Sequence, residues 1–432
     1  MSLKMLARRL ACCGVMFAAM IPALAGAAKY PDYPDKLELL ELLRGADYEQ
    51  LDARLRGYLK AYEKGRRPEL HVEAAYLAFI NSDPVLGDRI AAWIETMPAS
   101  YAARAALGMR EWNLAGQERG AGSASGIGAA RLAAMNDHLL RARAALRMAV
   151  EREPTLTPAY GALINIAMMR GETKAQYDAL AEGLRANPES YVIRRRYVFA
   201  LQPKWGGSVR QMRAFLDRTA EERPSDKTLA RLEGYMSYVA ADAATRGGAR
   251  EAALDFFDRA LAHGDDWWIL FERARYQLRM KDYAAALGDL NRSLAARPQV
   301  ADVLAMRGGV HRRLGMPKEA LADFDAAIAL DSLDPDARAQ RGAYWRDRSD
   351  LDKALADYEA ALLYGSRDAR RWTDRATVLL IQHRFGPAVG DLWRAVKLQP
   401  FNLGRWRRLT ETLALWFTSL FFGAETSPRT SG

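Results

Sequence analysis

Cysteine is almost missing from this chain. Its two copies, Cys12 and Cys13, stand side by side near the start, and none follows in the rest of the 432 residues. A disulfide framework, a cysteine zinc site and a cysteine nucleophile are therefore excluded beyond that start. Histidine is scarce too. His71, His138, His263, His311 and His383 are scattered without ligand spacing, and neither H-E-x-x-H nor G-x-S-x-G occurs. No apolar run reaches the ~20 residues a membrane-spanning helix needs. Nor does one sign of charge dominate. The 63 Lys+Arg against 53 Asp+Glu are too small an excess to point to nucleic acid as the partner.

What remains is a globular composition, 50% hydrophobic and 27% charged. Lys4, Arg8 and Arg9 precede an apolar stretch from Leu10 to Ile21, and small residues follow at Ala23, Ala25 and Ala27. This is the pattern of a cleaved signal peptide over residues 1–27, with an uncleaved anchor as the alternative. Its removal takes three positive charges and no acid, lowering the net charge from +10 to +7. Arginines outnumber lysines 51 to 12, which with the high alanine content reads as a GC-rich bacterial gene. The expected location is periplasmic or secreted.

From Trp267 the chain repeats every 34 residues, in units 267–300, 301–334, 335–368 and 369–402. Ala286, Ala320, Ala354 and Ala388 share one register; Ala274, Gly308, Gly342 and Ala376 another; Leu290, Phe324, Tyr358 and Leu392 a third. Small residues let two helices approach, and bulky ones fill the seam between them. Pro298 and Pro400 stand where a second helix should stop. Arg273, Arg307, Arg341 and Arg375 recur opposite Asp289, Asp323, Asp357 and Asp391, which predicts one interhelical ion pair per unit. A weaker unit precedes these, with a first helix around Leu229 to Ala240, a loop at Asp242–Gly248 and a second helix near Ala252–Leu261.

The period, the small positions and the closing prolines resemble the tetratricopeptide repeat family. The resemblance implies an all-α, right-handed α-solenoid of helix-turn-helix repeats. Residues 226–402 would hold the repeats, 28–225 a divergent helical-repeat domain with loop insertions, and 403–432 a capping helix and flexible tail. Repeat solenoids need such a cap because the last unit otherwise exposes its stacking face. In the family's geometry Trp268, Phe271, Arg275, Arg279, Arg312, Arg313 and Arg346 fall on the concave face. Arginine binds carboxylates in a bidentate manner, so a protein or acidic peptide is the expected partner. Asp302, Asp336 and Asp347 map to the same face.

The N-terminal half is helical with a broken period. Leu37–Leu43, Tyr48–Tyr62 and Leu70–Ile80 carry helical spacing, and Thr157 to Pro188 aligns as one more unit. Trp112, Leu132, the helix Leu139–Val150, Pro188-Glu189-Ser190-Tyr191 and Leu201 to Ser208 resemble the uncharacterised bacterial domain of unknown function 4034, over roughly residues 45–220. That resemblance implies envelope-associated proteins and no known activity.

No catalytic constellation, metal site or cofactor motif can be assembled. The glycine-rich stretch Gly116–Gly128 lacks the Gly-Lys-Ser/Thr ending of a phosphate loop and reads as a connector. Ser208 to Gln211 reads as a capping box after a Gly206-Gly207 turn, with Trp205 as the anchor. Asp265-Asp266 reads as a helix start, and Arg194-Arg195-Arg196 as a solvated face. Leu413 to Phe422 is too short to span a membrane; besides capping, peripheral membrane contact or dimerisation would suit it. The expectation is a non-catalytic scaffold, with binding of envelope polysaccharide or peptidoglycan through Trp205 and the loop inserts as the alternative.

Overall fold

The computed structural model describes residues 33–81, 83–119, 128–262, 264–365 and 368–422. The leader 1–27, residues 120–127 of the glycine-rich stretch and His263 lie outside them. Among the described residues there are helices and no strands. The N-terminal half holds α1 (Lys36–Arg44), α2 (Tyr48–Glu63), α3 (Glu69–Tyr76), α4 (Pro84–Thr96), α5 (Tyr101–Arg119), α6 (Ala129–Arg152), α7 (Thr157–Met169), α8 (Thr173–Ala186), α9 (Tyr191–Ala200) and α10 (Val209–Glu221). Then come α11 (Asp226–Arg246), α12 (Arg250–Leu261), α13 (Trp267–Arg279), α14 (Tyr283–Ala296), α15 (Ala301–Arg313), α16 (Pro317–Leu330), α17 (Pro335–Asp347), α18 (Leu351–Gly365), α19 (Ala369–Ile381), α20 (Phe385–Leu398) and α21 (Leu403–Phe422). The chain is an all-α solenoid of antiparallel helix pairs.

The 34-residue register is written in the packing. Ala286, Ala320, Ala354 and Ala388 are fully buried, and so are Leu290, Phe324 and Tyr358, with Leu392 close behind. A Cβ on Gly308 would stand 2.7 Å from the Phe324 ring, so the close crossing of α15 and α16 requires glycine there. Each unit turns between its helices through one left-handed residue, Lys281, Gly315, Ser349 and His383, again 34 apart. Gly171 and Gly248 adopt the same φ between α7 and α8 and between α11 and α12. The repeat thus persists in backbone form where the sequence pattern fades.

The predicted ion pairs form, and three of the four arginines also reach back to the preceding unit. Arg341 donates to both oxygens of Asp357 at 2.8 Å, then reaches back to Asp325 of the preceding unit at 2.7 Å. Arg273 bridges Asp289 and Asp258, and Arg307 bridges Asp323 and Asn291. Arg375 holds Asp391 by two bonds of 2.7 Å.

One element departs from the sequence reading. Asp242–Gly248 is not all loop, because α11 continues to Arg246. Alanines and the Arg246–Asp242 pair at 2.9 Å sustain the helix, and the chain turns only at Gly247 and Gly248.

The solenoid curls until its start meets its later units. The Lys36 backbone N–H donates to Gln299 Oε1 and its ammonium to the Gln299 carbonyl, both at 2.7 Å. Gln299 Nε2 donates to Asp35 Oδ1 at 3.0 Å, and Asn81 donates to the Leu330 carbonyl at 3.0 Å. Leu37 packs beside the core of the 267–337 region. Some 250 residues of chain separate these partners, so the contacts close one circuit of the superhelix.

Candidate functional site

At that closure lies a half-open cavity of about 490 Å³. Its lining comes from segments far apart in the chain. The segment after α3 gives Leu77, Ala78 and Ile80; α5 gives Trp112, Asn113 and Gln117; α9 gives Arg195, Arg196 and Phe199. Tyr235, Trp267, Trp268, Asp302, Asp331 and Asp334 complete the far side, with Lys36 and Arg297 at the closure.

The cationic wall is built around Glu73. This carboxylate is 3% exposed and accepts from Arg195 at 2.5 Å and Arg196 at 2.8 Å. Burial opposes its ionisation, but Arg195, Arg196 and Arg297 outweigh burial and hold its pKa well below the usual carboxylate range. The same wall carries aromatic faces. Arg196 stands 6.0 Å over the Trp112 ring and Arg297 4.6 Å over Trp267, distances at which a guanidinium is attracted to the ring face. These cations are already engaged within the chain.

The acidic wall is different. Burial pushes the Asp331 carboxyl up to about 6 and the Asp334 carboxyl, which also feels Asp302 and Asp336, up to about 7. Asp302 is raised by burial and by Asp336, although its side chain is open to the cavity space. Asp334 also caps α17, accepting from the N–H groups of Asp336 and Ala337. Lys36 is pushed down to about 7 by burial and by Arg297, against the opposite pull of Asp302. Neighbouring carboxylates thus raise one another's pKa, and Lys36 already acts on Asp302.

Of the seven residues expected to bind a partner on the concave face, Trp268 alone lines this cavity, half-buried and 5.7 Å from Phe271; Asp302, expected on the same face, lines it too. Phe271 itself is 6% exposed and packs in the core with Ala274 and Leu290, so it offers no surface. Arg275 is exposed and pairs with Glu272 at 2.9 Å. Arg279 is exposed and lies 5.6 Å over the Tyr276 ring; Arg313 lies 5.6 Å over Tyr283. Arg312 and Arg346 converge on one carboxylate, Asp347. These arginines are therefore partly neutralised by their own chain.

Other expectations resolve clearly. Arg194 and Arg195 are buried, at 2% and 5%, rather than solvated, because Glu222 and Glu73 receive them. Asp266 accepts from the Trp268 and Ile269 N–H groups as a helix start. Ser208 caps α10 by accepting from the Gln211 N–H, and its hydroxyl donates to Gln211 Oε1, in place of the backbone N–H bond of a full capping box. Gly207 sits where a Cβ would be 2.1 Å from the Leu201 carbonyl. Trp205 packs on Phe199 and has Arg119 4.8 Å over its ring, so that ring is covered.

Sequence reasoning missed Lys36, Trp112, Arg195, Arg196, Tyr235 and the Asp331–Asp334 turn as one site. The only signal was Glu69 and Glu73, acids four apart on one helix face, waiting for partners far along the chain.

Residues 36–174 match the family described as a domain of unknown function, DUF4034. The matched span stops before Pro188, so the Trp205–Ser208 segment lies outside it. None of the curated proteins compared matches the chain. Among solved structures, a thermophilic tetratricopeptide repeat protein of Thermus thermophilus is 21% identical, covering 42% of this chain and 99% of its own, with a TM-score of 0.38. A Pseudomonas aeruginosa pilF structure is 15% identical, covering 59% and 97%, with a TM-score of 0.37. The Cut9–Hcn1 hetero-tetramer of the APC/C is 15% identical, covering 87% and 74%, with a TM-score of 0.46.

Proposed function

We propose that this chain is an exported, non-catalytic scaffold that holds another envelope protein, taking one extended segment of it into the concave cavity. The observation that carries this reading is the cavity itself, where Trp112, Phe199, Trp267 and Trp268 line one space with Asp302, Asp331 and Asp334 at the closure of the superhelix. Aromatic faces supply apolar anchoring, and desolvated carboxylates select a basic side chain between them. Beyond the cavity the concave face continues along Arg275, Arg279, Arg312, Arg313 and Arg346. An acidic stretch of the partner would compete there with Asp347 and Glu272. The scaffold thus suits a segment of mixed charge, a basic anchor followed by acidic residues. Export rests on the leader pattern of residues 1–27.

The glycan alternative drew on Trp205, whose ring lies against Phe199 and under Arg119.

The test is crosslinked recovery from envelope extract with three baits: the wild type, a cavity variant Trp112→Ala with Asp302→Lys, and a groove variant Arg312→Glu with Arg313→Glu. One discrete protein recovered by the wild type and lost with the folded cavity variant supports the reading. Equal recovery by all three baits, or recovery of glycan alone, overturns it.

A further inference from the structure

Gln299, in the turn between α14 and α15, has a left-handed backbone with φ of 56°. Its described equivalents 34 residues apart, Asp265, Leu333 and Phe401, do not share it, since none of them has a positive φ. In that conformation a Cβ crowds the following carbonyl oxygen. A non-glycine residue stays there only when its surroundings hold it.

What holds Gln299 is the closure of the superhelix. Its side-chain amide accepts from the Lys36 N–H at 2.7 Å and donates to Asp35 Oδ1 at 3.0 Å. Its carbonyl accepts from the Lys36 ammonium at 2.7 Å. The rest of the seam is thin. Asn81 donates to the Leu330 carbonyl, and Leu37 alone, of the described residues before Trp267, packs on the core of the later units. Leu39, Leu40 and Leu43 of the same helix are buried in the N-terminal core instead. Each side of the seam therefore keeps its own core if the two part.

Lys36 fastens the seam incompletely. It is 9% exposed, yet its ammonium reaches only the Gln299 carbonyl, and no carboxylate oxygen lies within 4 Å of it among the described residues. An ammonium has three protons to donate, and a buried cation so sparsely paired opposes its own burial. The shut state thus holds a strained turn and an under-paired charge, and one movement of α1 away from Gln299 relieves both.

We propose that this closure is a clasp. Shut, Lys36 and Asp35 hold Gln299 left-handed. Released, Gln299 takes up a negative φ as its equivalents do, the turn between α14 and α15 rotates, and the superhelix opens beside the cavity. The partner's entry through that opening rests on the cavity reading; the clasp itself does not.

The test uses the full chain with Cys12→Ser and Cys13→Ser, and nitroxides on Glu41→Cys in α1 and Glu319→Cys in α16, both exposed positions. Pulsed electron resonance reads the distance between them with no partner present. Gln299→Ala removes the side-chain amide. Gln299→Pro fixes φ near about −65° and removes an N–H that bonds nothing among the described residues. The wild type should show a short distance, Gln299→Ala should raise the longer population by at least about tenfold, as the loss of two hydrogen bonds implies, and Gln299→Pro should show the longer distance alone. Helical content should stay unchanged in both. A folded Gln299→Pro chain that keeps the short distance overturns the proposal, as does a short distance undisturbed in Gln299→Ala. A wild type at the long distance alone overturns it too, because nothing is then clasped. Opening that leaves recovery of the partner from envelope extract unchanged supports the clasp and overturns its use as the partner's entrance.

Discussion

Arg307 holds Asp323 by two parallel bonds, Nε to Oδ2 at 2.9 Å and Nη2 to Oδ1 at 2.6 Å, and a third bond at 3.0 Å ties it to Asn291 of the unit before. One side chain thus joins three helices. Arg273 and Arg341 make the same three-way contact, so the charged register both fastens each unit and links it to its neighbour.

Removing one partner should strand the other. Asp323 is 5% exposed and also faces His311 at 3.0 Å, so Arg307→Ala should cost about 3 kcal/mol, the lower end for breaking a buried pair. Urea denaturation of Arg307→Ala, Asp323→Ala and the double variant checks this. The double variant should lose markedly less than the two single losses combined.

The left-handed turn residues give a prediction of opposite sign. Lys281, Ser349 and His383 have φ of 62°, 62° and 56°, whereas Gly315 fills the equivalent place at 74°. Lys281→Gly or Ser349→Gly should stabilise by up to about 1 kcal/mol, and Gly315→Ala should destabilise by a similar amount. Thermal melts of the three single variants would show it.

The seam of α15 and α16 should not tolerate bulk. With a Cβ on Gly308 already 2.7 Å from Phe324, Gly308→Val should destabilise by about 1–3 kcal/mol through overpacking. Gly288, around which nothing lies within 4 Å of an added Cβ, is the control that should accept alanine without loss.

The closure of the superhelix should be least stable near neutral pH. Asp331 and Asp334 rise from 3.8 to about 6 and about 7 on folding, so the folded state binds more protons between those values. Their contribution is present below about pH 4 and is lost as pH rises toward 7. Lys36 falls from 10.5 to about 7, so the folded state binds fewer protons there, and its contribution recovers from pH 7 toward 10.5. Asp334→Asn, which retains the cap on α17, should flatten the acid limb, and Lys36→Met the alkaline limb. Hydrogen exchange of α1 and α17 against pH reads both.

The solenoid was legible because its determinants are local. A small residue, its bulky partner and the Arg–Asp pair lie within one 34-residue unit, and each repetition multiplies the signal. The seven groove positions followed from family geometry, which says where Cβ atoms point and nothing about who answers them; Asp347 answers both Arg312 and Arg346. The cavity was hidden for a different reason. Lys36 and Gln299, or Glu73 and Arg195, meet only because many small inter-unit rotations accumulate into one circuit. No pattern within a window of sequence carries that sum. Arg194 and Arg195 were misread on the same ground, as their acids lie on other helices.

The most direct test places a photo-crosslinking amino acid at Gln117, on the cavity wall, and at the exposed Val209 outside it, in cells that express the chain. The account predicts one discrete adduct at Gln117, abolished by Asp302→Lys, and none at Val209. The same adducts at both positions, or a Gln117 adduct indifferent to Asp302→Lys, would contradict the claim that the cavity receives the partner.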